Sequence, residues 1–301
     1  MSLTLAKLQQ LKREAGGNSA SSISPAIAKH PDAPRPSAHT SIEHLRQLLR
    51  VRAPQRPSIE RALDREVPGR VLAPGLYLVE TQLPDDALPE HFCGAFDRRD
   101  ALDPSKLLFF DTETTGLAGG TGTRAFMIGA ADWRDGRLRI RQLTITTTSA
   151  ETAMLAAFRA LLTPATVLVS YNGKCYDAPL LATRYRLARQ TNPLAGLAHV
   201  DLLYPSRRRW RGVYENCRLA TIERQVLRVV REDDLPGAEA PAAWLAYLRG
   251  GSAHALRRVL AHNHQDVISL SRLLRRLSGD GHAADSDWRG LASPFAAAGF
   301  R

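Results

Sequence analysis

The stretch Phe109-Phe110-Asp111-Thr112-Glu113-Thr114-Thr115-Gly116-Leu117-Ala118-Gly119-Gly120 sets two carboxylates one residue apart after an apolar run, then breaks into Thr and Gly. In an extended strand residues i and i+2 share a face. Asp111 and Glu113 therefore point the same way from the end of the buried run Leu107-Leu108-Phe109-Phe110. Like charges side by side repel, and the pattern calls for a partner of opposite sign.

Working outward, Ala125 to Trp133 and Arg137 to Thr147 read as a hairpin turning at Asp135-Gly136. A helix over about 150 to 163 follows, then a buried strand Thr166-Val167-Leu168-Val169-Ser170 and a helix from about Asp177. Ahead of the run, Gly75-Leu76-Tyr77-Leu78-Val79-Glu80-Thr81 reads as a further strand. The second half reads as helical near 216 to 231, 239 to 249 and 254 to 278. Strands first and helices later predict an α/β fold, a mixed central sheet flanked by helices. Residues 1–40, rich in Gly, Ser, Ala and Pro, read as a disordered basic lead-in. Residues 41–104 read as a helix and strand preceding the core, with Ser41 capping a short helix through Ile42, Leu45, Leu48 and Leu49. The core is expected over 105–278, with a flexible tail at 279–301.

Two more acidic positions stand in unusual settings. Asp177 follows a buried strand and the turn Tyr171-Asn172-Gly173-Lys174, where an Asp also serves as a helix cap. In Ala261-His262-Asn263-His264-Gln265-Asp266, His262 and Asp266 are four apart and share a helix face. Taken alone that pair reads as a solvated surface pair, and His264 as a surface residue. Taken together, Asp111, Glu113, Asp177 and Asp266 all lie at the ends of apolar elements or on a helix packed against them. Gathered there they require divalent cations, and an all-oxygen donor set suits magnesium or manganese. In two-metal phosphoryl chemistry ions roughly 3.5 to 4 Å apart hold the attacking water and the leaving oxygen.

Asp111-Thr112-Glu113-Thr114-Thr115-Gly116-Leu117 resembles the first motif of the DEDD superfamily of 3′–5′ exonucleases. Tyr171-Asn172 through Asp177-Ala178-Pro179 resembles their second motif as found in the proofreading domain of B-family DNA polymerases. His262-Asn263-x-x-Asp266 stands where the third belongs. The YprB-like ribonuclease H-like domain family is the nearest likeness, through the Gly-rich stretch from Ala118 to Arg124. The resemblance covers about Lys106 to Leu274. It implies a ribonuclease H-like fold, and Asp111, Glu113, Asp177 and Asp266 as ligands of two divalent cations, Mg2+ or Mn2+. It implies Thr114, Thr115 and Leu117 in the pocket for a terminal nucleotide. In the superfamily a Tyr four residues before the last Asp, or a His five before it, orients or deprotonates the attacking water. This chain has His262 four before and Ala261 five before, and His262 carries over as the candidate proton acceptor.

Composition agrees with a polyanionic partner. The net charge is +11, with sequence pI near 10.1, which favours phosphate binding. Ser206-Arg207-Arg208-Arg209-Trp210-Arg211 mixes cations with an aromatic, as single-strand binding surfaces do and as solvated helix faces do. Arg207, Arg208, Trp210 and Asn172 are candidate contacts to single-stranded DNA or RNA. Cys93, Cys175 and Cys217 are odd in number, far apart and form no CxxC pair, and suggest neither a disulfide framework nor a zinc knuckle. No Gly-Lys-Ser/Thr follows the glycines, which excludes a P-loop. No run of membrane-spanning length occurs and the expected location is cytoplasmic. The expected function is a metal-dependent 3′–5′ exonuclease. The alternatives are a catalytically weak nucleic-acid-binding module and a structure-specific endonuclease on the same scaffold.

Overall fold

The computed structural model describes residues 64–85, 87–116, 120–231 and 234–279. These belong to one compact unit, Arg61–Arg301; the other unit is Met1–Glu60. The expected lead-in, the helix after Ser41, Leu117 and the tail from residue 280 lie outside the described residues. Among the described residues no helix is long and apolar enough to cross a membrane.

The sheet has seven strands: β1 (Arg70–Ala73), β2 (Leu76–Pro84), β5 (Leu107–Thr114), β6 (Ala125–Arg134), β7 (Arg137–Ile145), β8 (Val167–Ser170) and β9 (Ala198–Asp201), in the order β1-β2-β7-β6-β5-β8-β9. A two-residue pair, β3 (Phe92–Cys93) and β4 (Ala101–Leu102), forms separately. Strands β5, β8 and β9 run parallel; β1, β2, β7, β6 and β5 pair antiparallel. The β6–β7 hairpin turns at Asp135 (φ 51°) and Gly136 (φ 67°), both left-handed as a type I′ turn demands.

Helices α1 (Glu151–Arg159), α2 (Asp177–Leu187), α3 (Leu203–Trp210), α4 (Leu219–Ile222), α5 (Ala240–Leu248) and α6 (His254–Ser278) flank the sheet. Alternation along β5 divides the core. Leu108 and Phe110 join one apolar cluster with Phe126, Met154, Phe158, Leu181 and Trp244; Leu107 and Phe109 join a second with Trp133, Ile140, Val267 and Leu270. Helix α6 crosses the β5–β6–β7 part of the sheet and contributes to both clusters.

The structure corrects three expectations. The long helix near 216 to 231 is instead the short α4, a π-helical turn over Glu223–Leu227, and a left-handed stop at Arg228 (φ 57°). A continuous helix would hold Glu223 and Arg231 about 12 Å apart along its axis. The break folds Arg231 back, so that its Nε donates to Glu223 Oε2 at 2.9 Å. His264 is 3% exposed and buried rather than at the surface; its Nε2 lies 2.9 Å from Thr81 Oγ1, and burial pulls its pKa down to about 4. Trp210 is also buried, packed in the second apolar cluster, which withdraws its ring from stacking on a base.

Candidate metal centre

Strand β5 carries Asp111 and Glu113 on the face that α6 covers. A bulge falls between Glu113 and Thr114, where the pairing steps from Met127 to Ala125, and it ends the ladder beside the two carboxylates. From α6, Asn263 reaches down to the strand: its Nδ2 donates to Asp111 Oδ2 at 2.9 Å. Gln142 on β7 donates from Nε2 to Asn263 Oδ1 at 3.1 Å and to the Leu260 carbonyl at 2.8 Å. This approach is close because position 129 is glycine. A Cβ there would fall 2.1 Å from Asn263 Oδ1.

Asp177 opens α2 and is buried. Thr112, which points to the opposite side of β5 from Asp111, donates its hydroxyl to Asp177 Oδ1. The preceding turn places Asn172 at φ 66° and is held by Asp201 at the end of β9, which accepts from the backbone N–H of Asn172 at 2.7 Å, Lys174 at 3.0 Å and Leu203 at 3.1 Å. Asp201 thus positions the turn that delivers Asp177. Asp201→Asn exchanges one accepting oxygen for a donor facing an N–H, and a loss of about 1–2 kcal/mol is expected in urea unfolding. An unchanged midpoint would remove Asp201 from that role.

Glu113, His262 and Asp266 come together most closely. Each offers one ligand atom, and these atoms lie within 4.8 Å of one another, a spacing that one cation can bridge. Asp111 and Asp177 stand beside this group and share its field. Burial first, then Asp266, Asp177 and Glu113, push the Asp111 carboxyl well above the usual range. Burial followed by Asp266 raises Glu113 to about 8, against the pull of His262 and Arg231; burial raises Asp177 to about 6, opposed by the Thr112 hydrogen bond. The chemistry of this donor set fits a divalent cation, since the carboxylates raise one another's pKa where a cation would lower them.

Arg231 is the one described guanidinium set inside the cluster. It is bonded to Glu223 and to Asp266 Oδ1. Burial acts most strongly on the His262 imidazole and lowers it, but Asp266 and the Asp234 hydrogen bond outweigh that, so its pKa lies above the ordinary value. These pKa shifts set a pH dependence. The folded chain keeps the Glu113 proton up to about pH 8 while the unfolded chain loses it near 4.5, so the folded state binds more protons across that window and loses stability as pH rises through it. In chelator, Glu113→Gln is therefore expected to gain stability over the wild type steadily from pH 5 to pH 8. A gap in melting temperature that stays constant would contradict the raised pKa.

Among the expected substrate contacts, Thr114 donates to the Gly116 carbonyl at 3.0 Å and sits 3.2 Å from the Tyr176 hydroxyl. Thr115 Oγ1 accepts from the Arg124 N–H at 3.0 Å. Asn172, Arg207 and Arg208 are exposed, and Arg208 donates to the Phe96 carbonyl. Tyr176 ties the first motif to the second by donating to the Gly116 carbonyl at 2.8 Å. Sequence reading missed Gln142, Tyr176, Glu223, Arg231 and Asp234 as parts of the site, and left Asp201 outside the catalytic set as a strand end. Only Asp201, in His199-Val200-Asp201 at a strand end, carried a local signal.

A family model described as the RNase_H superfamily matches residues 108–278. YprB of Bacillus subtilis (strain 168), an uncharacterized protein, is 37% identical over 175 residues, 58% of this chain and 42% of that protein. The chain thus spans less than half of that relative's length. A family B DNA polymerase from the hyperthermophilic archaeon Pyrobaculum calidifontis is similar at 17% identity and TM-score 0.44, covering 62% of this chain and 28% of that one. An exonuclease I structure is similar at 15% identity and TM-score 0.37, covering 58% of this chain and 42% of that one. The matched residues take in all of β5 but its first residue, both helices that bear acidic ligand candidates, and more than half of the sequence: the chain belongs to the RNase H superfamily.

Proposed function

We propose that this chain is a metal-dependent 3′–5′ exonuclease acting on single-stranded DNA or RNA by a two-metal mechanism. The superfamily fold supports a nucleic-acid-cleaving role. The observation that carries the finer reading is the convergence of Asp111, Glu113, Asp177 and Asp266, two from one strand and two from separate helices, into one partly buried field of mutual repulsion. A binder of polyanions gains nothing from such a cluster, which repels phosphate; a site that loads divalent cations does.

In this reading Asp111, Glu113, Asp177 and Asp266 hold the cations, which would supply a water activated for attack on phosphorus and neutralise charge on the leaving 3′ oxygen. The chain's own residues do the positioning. Asn263 fixes Asp111, Thr112 fixes Asp177, and Arg231 fixes one oxygen of Asp266. Thr114 and Thr115 border the segment on which the terminal nucleotide would rest, and the net charge of +11 favours capture of the strand.

End-labelled substrates test the reading. The purified chain is incubated with 3′-labelled, 5′-labelled and circular single-stranded DNA, and with matching linear RNA, in manganese or in chelator. The expected result is immediate release of labelled mononucleotide from the 3′ end, only with metal, and resistance of the circle. Cleavage of the circle would favour an endonuclease. Binding retained in chelator with no cleavage of any substrate would favour the binding module.

A further inference from the structure

The three side chains that converge most closely include a nitrogen donor. His262 is fixed from behind, its Nδ1 lying 2.7 Å from Asp234 Oδ1 and 3.0 Å from Arg231 Nη1. A carboxylate only accepts and a guanidinium only donates, so the hydrogen on Nδ1 belongs to the shorter contact, with Asp234. Nε2 then faces the carboxylates, 3.4 Å from Asp266 Oδ2. Arg231 engages the other oxygen of Asp266, Oδ1, which leaves Oδ2 to the cluster. Glu113 is 7% exposed and accepts no hydrogen bond from the described residues, although its oxygen lies within 4.8 Å of both other donors. Gly237 borders the same edge of the ring: a methyl there would touch Nε2 at 3.4 Å, and glycine leaves that edge open.

We propose, resting on the metal-dependent reading above, that His262 is itself a metal ligand through Nε2. Glu113 and Asp266 complete a mixed nitrogen and oxygen donor set, and Asp234 is the positioning residue that orients the ring. A carboxylate bonded to the far nitrogen of a ligating histidine fixes its tautomer and strengthens it as a donor. The nitrogen also changes which ion the site prefers. Magnesium takes oxygen ligands, whereas imidazole favours first-row transition ions, rising from manganese through cobalt. The inferred site is therefore selective for a transition ion over magnesium. It also separates His262 from the proton-accepting role that the family resemblance implies, because a ligating Nε2 has no lone pair left for a proton.

Cobalt(II) reports ligand nitrogen directly through its visible absorption. The full, untagged chain is stripped with chelator and titrated with cobalt chloride and, separately, with magnesium chloride. Cobalt is expected to bind more tightly than magnesium. Asp234→Asn is expected to weaken cobalt by about 10–100-fold, and His262→Ala by at least that much with a changed spectrum, while magnesium affinity moves by less than about threefold. Far-UV circular dichroism and melting curves check that each variant is folded, and Asp234→Asn leaves the ring in place should His262→Ala unfold. A cobalt spectrum and affinity unaltered by either variant would overturn the proposal, as would equal loss of cobalt and magnesium in His262→Ala. The two readings fail separately. Cleavage with a cobalt spectrum indifferent to His262 keeps the nuclease and loses the ligand; a His262-dependent spectrum without cleavage keeps the ligand and loses the nuclease.

Discussion

Asp111→Asn is expected to abolish nucleic-acid cleavage and, in chelator at pH 8, to raise the melting temperature. Both effects have one origin. The partly buried Asp111 carboxyl stands beside Asp266, Asp177 and Glu113, and its pKa lies well above the usual range, so without a cation its charge is a burden on the fold. The amide of Asn is nearly the same shape, and its oxygen can still accept from Asn263 Nδ2, so the variant keeps the contact and loses the repulsion. A bound cation contributes several kcal/mol of transition-state charge stabilisation, so loss of a ligand is expected to slow cleavage by about three orders of magnitude or more. Single-turnover cleavage in manganese and melting in chelator read the two halves. Cleavage at the wild-type rate, or a variant less stable than the wild type in chelator, would contradict the account.

Gly129→Ala is expected to cost about 3 kcal/mol of stability and to weaken metal binding together. The new Cβ would stand 2.1 Å from Asn263 Oδ1 and 2.9 Å from both Asn263 Cγ and Val267 Cγ2. Those neighbours are the middle of α6, fully buried, and cannot retreat cheaply. Asn263 is held at once by Asp111 and Gln142, so moving it breaks both bonds or lifts the helix. Overpacking a tight core costs about 1–3 kcal/mol, and leaving the polar groups of Asn263 and Gln142 unpaired places this site at the top of that range. Urea unfolding with and without manganese checks it. A variant as stable as the wild type, with unchanged metal affinity, would mean that α6 does not depend on this close approach.

Much of this fold was legible in the sequence because its signals are local. The apolar run before Asp111, the Asp135-Gly136 turn and the α6 periodicity each declare themselves within a dozen residues, and the structure has them at Leu107–Thr114, Asp135-Gly136 and His254–Ser278. The segment from 216 to 231 failed for a physical reason. Its side chains suit a helix, and what breaks it is a pairing that only the folded chain contains, Arg231 turning back to Glu223 and Asp266. The same limit hid Asp234 and Gln142. Each acts through a partner more than twenty residues away, His262 for one and Asn263 for the other. His264 looked like a surface residue by its helical phase relative to His262, and β2 covers that side of α6 through Thr81. Trp210 misled by its neighbours: three exposed arginines precede it, yet the last residue of α3 turns inward.

The carboxylates of β5, α2 and α6 are proposed to form a metal centre. Crystals of the full chain grown in manganese, with diffraction recorded near the manganese absorption edge, test it most directly. Anomalous density is expected against Glu113, Asp266 and His262 Nε2, with a second peak reached by Asp111 and Asp177. Absence of anomalous density at those side chains, with Arg231 still bonded to Asp266, would contradict it.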